Sequence, residues 1–203
     1  MNVAGASKEP PGDWFDRVYG SLLSHRAATM REALVRLHAN RGRLICETGS
    51  VRSAGNWVGD GQSTLVWAAY GKRYAAAVMT VDKDPAAAPL CKRLVKEHCG
   101  TEVHCTFRTG DGAEHLAAVN QPIDLLYLDS HDFLEHDAAP AQMQALKEFY
   151  AAEPWLHVKS LVLIDDCRLP HGGKGGLVIP EMESRGWQVA ASGYQVLMQR
   201  SGA

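Results

Sequence analysis

Long apolar runs are missing from this 203-residue chain. No stretch approaches the roughly 20 residues of a membrane span, and the N-terminus has no signal-peptide core, so the expectation is a cytoplasmic protein without a membrane partner. Charge of one sign is also lacking: 21 basic against 23 acidic residues leave −2. Nucleic-acid footprints are basic, so no nucleic-acid partner is expected. The cysteines (Cys46, Cys91, Cys99, Cys105 and Cys167) are odd in number and form no C-x-x-C, which speaks against a disulfide framework or a zinc site. There is no internal repeat and no second-domain boundary.

What is present is an alternation. Residues 1–12, ending "SKEPPG", read as a flexible arm. Residues 13–40 carry Trp14, Val18, Leu22, Met30, Leu34 and Leu37 near helical spacing, with Gly20 as a break. This N-terminal helical segment suits a lid or a face for a second copy of the chain, and residues 41–203 form the main domain. Strand-like runs at 43–49, 75–82, 102–107, 123–129 and 160–166 alternate with helical patterns near 61–72, 85–99, 111–119, 141–153 and 175–185. Several strands are apolar on both faces, as strands covered on both sides by helices must be. The pattern predicts an α/β fold with a doubly wound, mostly parallel seven-stranded sheet. Residues 186–200 leave no room for a helix and predict a terminal antiparallel strand pair.

Acids gather at one edge of this sheet. The first strand ends in Glu47, the second in Asp82, the fourth in Asp129 and the fifth in Asp165 and Asp166, while Asp111 opens a helix after the third. Ligands of open α/β sheets bind outside the carboxyl ends of the strands. Singly, each acid has an ordinary reading: Asp111, with Glu114 three residues on, makes a capping box, and Asp82 and Asp84 suit the entry to a helix. Six on one rim repel each other unless cations or hydrogen-bond donors meet them.

The segment "CETGSVRSAGNWVGDGQST" (46–64) stretches a strand-to-helix turn. It lacks the G-x-G-x-x-G spacing that seats a pyrophosphate, and Glu47 would oppose a phosphate. An acid there suits a ligand with a positive group. S-adenosylmethionine has an ammonium and a sulfonium and no phosphate, and Asp82 would then accept from its ribose hydroxyls.

Together with "VDKDP" (81–85), "TGDGAEHL" (109–116), "DLLYLDSHDF" (124–133), "LVLIDDC" (161–167) and "GYQVLMQR" (193–200), this segment resembles the class I S-adenosylmethionine-dependent methyltransferases. The similarity runs over about residues 43–200 and is to the small-molecule O-methyltransferase branch, with its cephalosporin- and macrolide-tailoring and catechol O-methyltransferase-like enzymes. It implies a loop folded over the cofactor, Glu47 and Gly49 at the methionine end, Asp82 at the ribose, and Asp111 and Gly112 beside the adenine. Trp57, Asp60 and Ser63 are further loop contacts, and Asp129 is read both as a cofactor contact and as a metal ligand. The catechol-type pattern implies a divalent ion on Asp129, Asp165 and Asp166. Carboxylate ligation favours Mg2+, with Mn2+ or Ca2+ as substitutes.

The expected reaction is in-line methyl transfer to an oxygen of a small hydroxylated acceptor. His131 is the expected base, with His171 as rival, because Asp132 stands where catechol-type enzymes carry a lysine. "HGGKGG" (171–176) fails the Walker spacing. It reads as a substrate-side turn whose Lys174 meets an acidic substrate group or solvent. No N/D-P-P-Y/F follows the fourth strand, against N-methylation of nucleic acid. A nicotinamide-dependent oxidoreductase and a non-catalytic cofactor-binding module are the alternatives.

Overall fold

The computed structural model describes residues 9–59 and 62–202. Residues 1–8 of the expected arm, and Asp60 and Gly61 of the stretched loop, lie outside the described residues. Seven strands form one sheet in the order β3-β2-β1-β4-β5-β7-β6. They are β1 (Leu44–Thr48), β2 (Ala77–Asp82), β3 (Cys105–Thr109), β4 (Ile123–Leu128), β5 (Leu156–Ile164), β6 (Trp187–Ser192) and β7 (Val196–Arg200). β1 to β5 run parallel, and β7 lies antiparallel between β5 and β6. The expected terminal pair is there.

Alternation along each strand feeds two cores. Ile45, Leu125, Tyr127, Leu161 and Leu163 point to one face, while Leu44, Cys46, Leu126, Leu128, Val162 and Ile164 point to the other. The first face is covered by α1 (Pro11–Val18), α2 (Ala27–Ala39) and α3 (Ser63–Tyr74), with α4 (Ala87–Cys99) packed beside α3. The second face is covered by α5 (Gly112–Ala117), α6 (Ala139–Ala152) and α7 (Gly175–Ser184). Each large apolar side chain sealed between these layers contributes about 1.5–3 kcal/mol.

The N-terminal segment belongs to this core. Pro10 and Pro11 open α1, where a proline costs no hydrogen bond, so the last residues of the expected arm are ordered. Trp14, Phe15, Tyr19, Leu23 and Met30 are all buried against α3 and the sheet. β3 sits two to three residues later than its apolar run suggested. The amide of Cys105 closes a turn on the Glu102 carbonyl at 2.9 Å, and Val103 stays 76% exposed. All five cysteines are free thiols. Among the described residues no helix is long and apolar enough to cross a membrane.

The strand order reverses between β1 and β4, which places a crevice at their carboxyl ends. Backbone bonds step along that rim: Gly110 N to Asp82 O, Gly49 N to Val81 O, Asp129 N to Thr48 O and Asp165 N to Leu128 O, each 2.9–3.1 Å. Residues ending different strands are thereby held at one level.

Candidate active site

A cleft of about 260 Å3 opens at this switch point, lined by Gly49, Ser50, Arg52, Ser63, Asp82, Asp129, Ser130, His131 and Asp132. Five residues singled out from sequence, Gly49, Ser63, Asp82, Asp129 and His131, meet there. Gly49 has φ +86°, and a Cβ on it would strike the Asp129 carbonyl, so the floor of the cleft exists only with glycine at this position. Asp82 accepts from the amides of Ser50 (3.0 Å) and Asp84 (2.9 Å) and has no cationic side-chain partner among the described residues. Its carboxyl group is oriented by the backbone on the cleft wall.

Glu47, expected at the methionine end of the cofactor, is not among the residues that line the cleft. It is fully buried, and its two oxygens accept from Ser63 Oγ (2.6 Å), Thr64 Oγ1 (2.6 Å) and Thr80 Oγ1 (2.7 Å). Burial raises its pKa to about 7, and these three hydroxyls limit the rise. Ser63 and Thr64 begin α3, so Glu47 fastens the far end of the stretched loop to the sheet. Thr64 Oγ1 also accepts from Val51 N, and Gln62 Nε2 donates to Ser53 O, tying the loop across its own length. Trp57 packs against Tyr19 and His98 rather than toward the cleft lining.

Asp111 and Gly112 sit just beyond the Asp82 end, outside the cleft lining. Asp111 caps α5 through Ala113 N (2.8 Å) and pairs with Lys147 (2.9 Å), which holds its carboxyl below the usual range. Gly112 is buried where a Cβ would meet Glu148 and Thr48. Both residues therefore have packing and capping tasks that account for them.

On the other side, Asp129, Asp165 and Asp166 come together as expected, with one oxygen of each within 4.8 Å of the others. Successive strand residues point to opposite faces, but Asp166 adopts φ +56°, which swings its side chain back toward Asp165. These acids already have cations. Arg26, the residue before α2, places Nε 3.1 and 3.0 Å from the two oxygens of Asp165 and Nη2 3.5 Å from Asp166. Lys174 Nζ bridges Asp129 and Asp166, the latter at 3.0 Å. Tyr194 donates to Asp166 at 2.6 Å and Tyr127 to Asp129 at 3.4 Å. Three carboxyl groups thus meet two cations, and burial pushes the Asp129 carboxyl well above its ordinary value while Lys174 works against that rise.

As a metal centre this donor set does not fit. The oxygens are suitable, but an ammonium already lies between two of the three carboxylates, and the third is held by a guanidinium. The expectation that Lys174 meets a substrate acid or solvent is likewise corrected: its side chain is 4% exposed and paired inside the chain. Burial works against its charge, yet Asp129, Asp166 and Asp165 outweigh burial and hold its pKa above the ordinary lysine value.

Sequence reasoning missed Arg26, Tyr194, Gln195 and the Arg52–Asp132 pair. Gln195 Nε2 donates to Tyr127 and its Oε1 accepts from Thr29, so the acid set rests on a buried polar chain. Arg52 reaches across the cleft mouth to Asp132 at 2.9 Å. An arginine among the apolar positions of 13–40 was the available signal for Arg26.

A seven-stranded sheet ending in an antiparallel pair, with a cleft at its switch point walled by an unpaired acid, is the fold of class I S-adenosylmethionine-dependent methyltransferases. The chain matches the family described as "Methyltransferase domain" over residues 58–167, more than half its length, and belongs to it. It is a methyltransferase, which replaces the nicotinamide alternative. Solved structures of the same fold include TomG, an O-methyltransferase from Streptomyces achromogenes in complex with SAM. It is 14% identical, with 97% of this chain and 92% of that chain covered, at a TM-score of 0.61. CalS11, a TDP-rhamnose 3'-O-methyltransferase, is 18% identical over 97% of this chain and 89% of that one, with a TM-score of 0.59. NSun6 from Pyrococcus horikoshii is 12% identical, with 84% of this chain and 52% of that chain covered, at a TM-score of 0.58, so the chain spans about half of NSun6. No curated protein sequence matches the chain.

Proposed function

We propose that this chain transfers the methyl group of S-adenosylmethionine to a hydroxyl oxygen of a small polyhydroxylated acceptor. The observation that carries the reading is the cleft: a glycine floor at Gly49, the backbone-oriented Asp82 on one wall, and Asp129 with His131 on the other. Asp82 suits the ribose diol, which donates two hydrogen bonds. Asp129 on the opposite wall offers carboxyl oxygens to the ligand's ammonium. S-adenosylmethionine, when bound, supplies an electrophilic methyl on sulfur, and the acceptor oxygen displaces the thioether as its proton leaves. The small-molecule reading draws on the likeness to the O-methyltransferases TomG and CalS11 and on the modest size of the opening.

His131 is the proton acceptor in this reading. Its Nδ1 lies 2.9 Å from the carbonyl oxygen of Asp132. A carbonyl only accepts, so Nδ1 carries the proton and Nε2 keeps the lone pair that takes the acceptor's proton. His25 and Tyr194, with ring centroids 4.0 Å apart beside Asp166, form an aromatic edge for the acceptor. Orientation and exclusion of water do the remaining work, since the transfer cancels charge. The divalent ion expected from sequence has no role here, because Lys174 and Arg26 already neutralise its ligands.

The test uses S-adenosylmethionine with a labelled methyl, a panel of catechols, sugar nucleotides and other polyols, and an amine panel as control. Label is expected on oxygen of at least one polyol. With that acceptor, His131→Ala is expected to lower kcat by about a hundredfold with little change in cofactor affinity. Transfer to amines alone contradicts the O-methylation reading. An unchanged kcat removes His131.

A further inference from the structure

The glycine-rich turn after β5 has one evident product: the position of Lys174. Gly172 and Gly173 take φ +82° and +53°, and a Cβ on Gly173 would overlap the Asp166 carbonyl. Gln142 of α6 pins the turn by donating from Nε2 to the carbonyls of His171 (2.9 Å) and Gly173 (3.0 Å). The chain therefore folds tightly under the end of β5 and delivers Lys174, at the entry to α7, into the space between Asp129 and Asp166.

Charge counting says what this ammonium does. Fully ionised, Asp129, Asp165 and Asp166 carry three negative charges, and Arg26 and Lys174 two positive ones. A divalent ion added to this set would bring four positive charges against three around the buried Asp165 and Lys174, and its ligands would have to release both cations. Without Lys174 the count is three against one, a deficit of two that a divalent ion fills. We propose that Lys174 is the resident cation of this site. It holds Asp129 and Asp166 in the place where a divalent ion would otherwise sit, methyl transfer runs without added metal, and removing the ammonium turns the three acids into a divalent-cation site. The activity half of this inference rests on the methyl-transfer reading above, whereas the ion-binding half does not.

The experiment measures Mn2+ binding to the chelator-treated full chain by electron paramagnetic resonance, without S-adenosylmethionine. Wild type is expected to bind no Mn2+ at the acids. Lys174→Ala is expected to bind one ion per chain, because carboxylate charge no longer met by the ammonium sets such affinities. Asp166→Asn in the same background is expected to abolish that gain. Lys174→Met, which keeps most of the stem's volume, serves if the alanine variant does not fold. Wild-type turnover is expected to be unchanged by excess chelator. A wild-type Mn2+ ion lost on Asp129→Asn, or turnover abolished by chelator and restored by Mg2+, overturns the proposal. Folded Lys174 variants that take up no ion overturn it as well. Absence of methyl transfer in any condition sinks the catalytic reading and leaves the binding result standing.

Discussion

Replacing Arg26 by alanine is expected to destabilise the chain by about 3–5 kcal/mol, the usual cost of leaving one member of a buried ion pair behind. Asp165 is fully buried, and Arg26 reaches both its oxygens. The same guanidinium donates to the Val58 carbonyl at 2.9 Å and lies 4.7 Å from the centre of the Tyr194 ring. One residue thus ties the N-terminal segment to the acid set, the stretched loop and the aromatic edge. Urea denaturation of the alanine variant measures the loss. Arg26→Met combined with Asp165→Asn is expected to recover much of it, because the uncompensated charge is then absent. A loss below about 1 kcal/mol, the level of an exposed pair, would show that Arg26 is not holding a buried acid.

Stability is also expected to fall with rising pH through Glu47. Its carboxyl titrates at about 7 in the folded chain against 4.5 as its ordinary value, so the folded state favours the neutral form. The contribution is complete below about 4.5 and is lost as pH rises through about 7. The difference corresponds to about 3 kcal/mol in total. Other groups titrate over the same range, so the comparison is with Glu47→Gln, which removes this ionisation and keeps the shape. Measured by urea unfolding at pH 5 and pH 8, the glutamine variant is expected to gain about 2–3 kcal/mol on wild type across the interval. Parallel profiles for the two proteins would mean that Glu47 is not a buried, raised carboxyl.

Much of this architecture was legible from sequence for physical reasons. Strands buried on both faces read as continuous apolar runs, and β1, β2 and β4 lie within a residue or two of theirs. β3 is half exposed and carries a weaker signal, and its expected start fell on a turn at Glu102–Cys105. The rim of acids was visible because strand ends can be found, which gives Asp82 and Asp129 with His131 two residues on, whereas Gly49 and Ser63 came with the family resemblance. What neutralises those acids was not visible. Arg26 precedes a helix 139 residues away from Asp165, and Lys174 stands in a turn whose closure depends on Gln142 of α6. Glu47 read as a ligand because sequence shows an acid after an apolar run but not the three hydroxyls, from β2 and α3, that fold around it.

The central claim is that the cleft between Gly49, Asp82 and Asp129 binds S-adenosylmethionine. Isothermal calorimetry on the full chain tests it, with wild type and Asp82→Ala side by side. One cofactor per chain is expected for wild type. The alanine variant is expected to bind more weakly by about ten- to a hundredfold, the worth of charge-assisted hydrogen bonds to a buried diol. No heat of binding in a folded wild-type chain, or equal affinity in the two proteins, would contradict it.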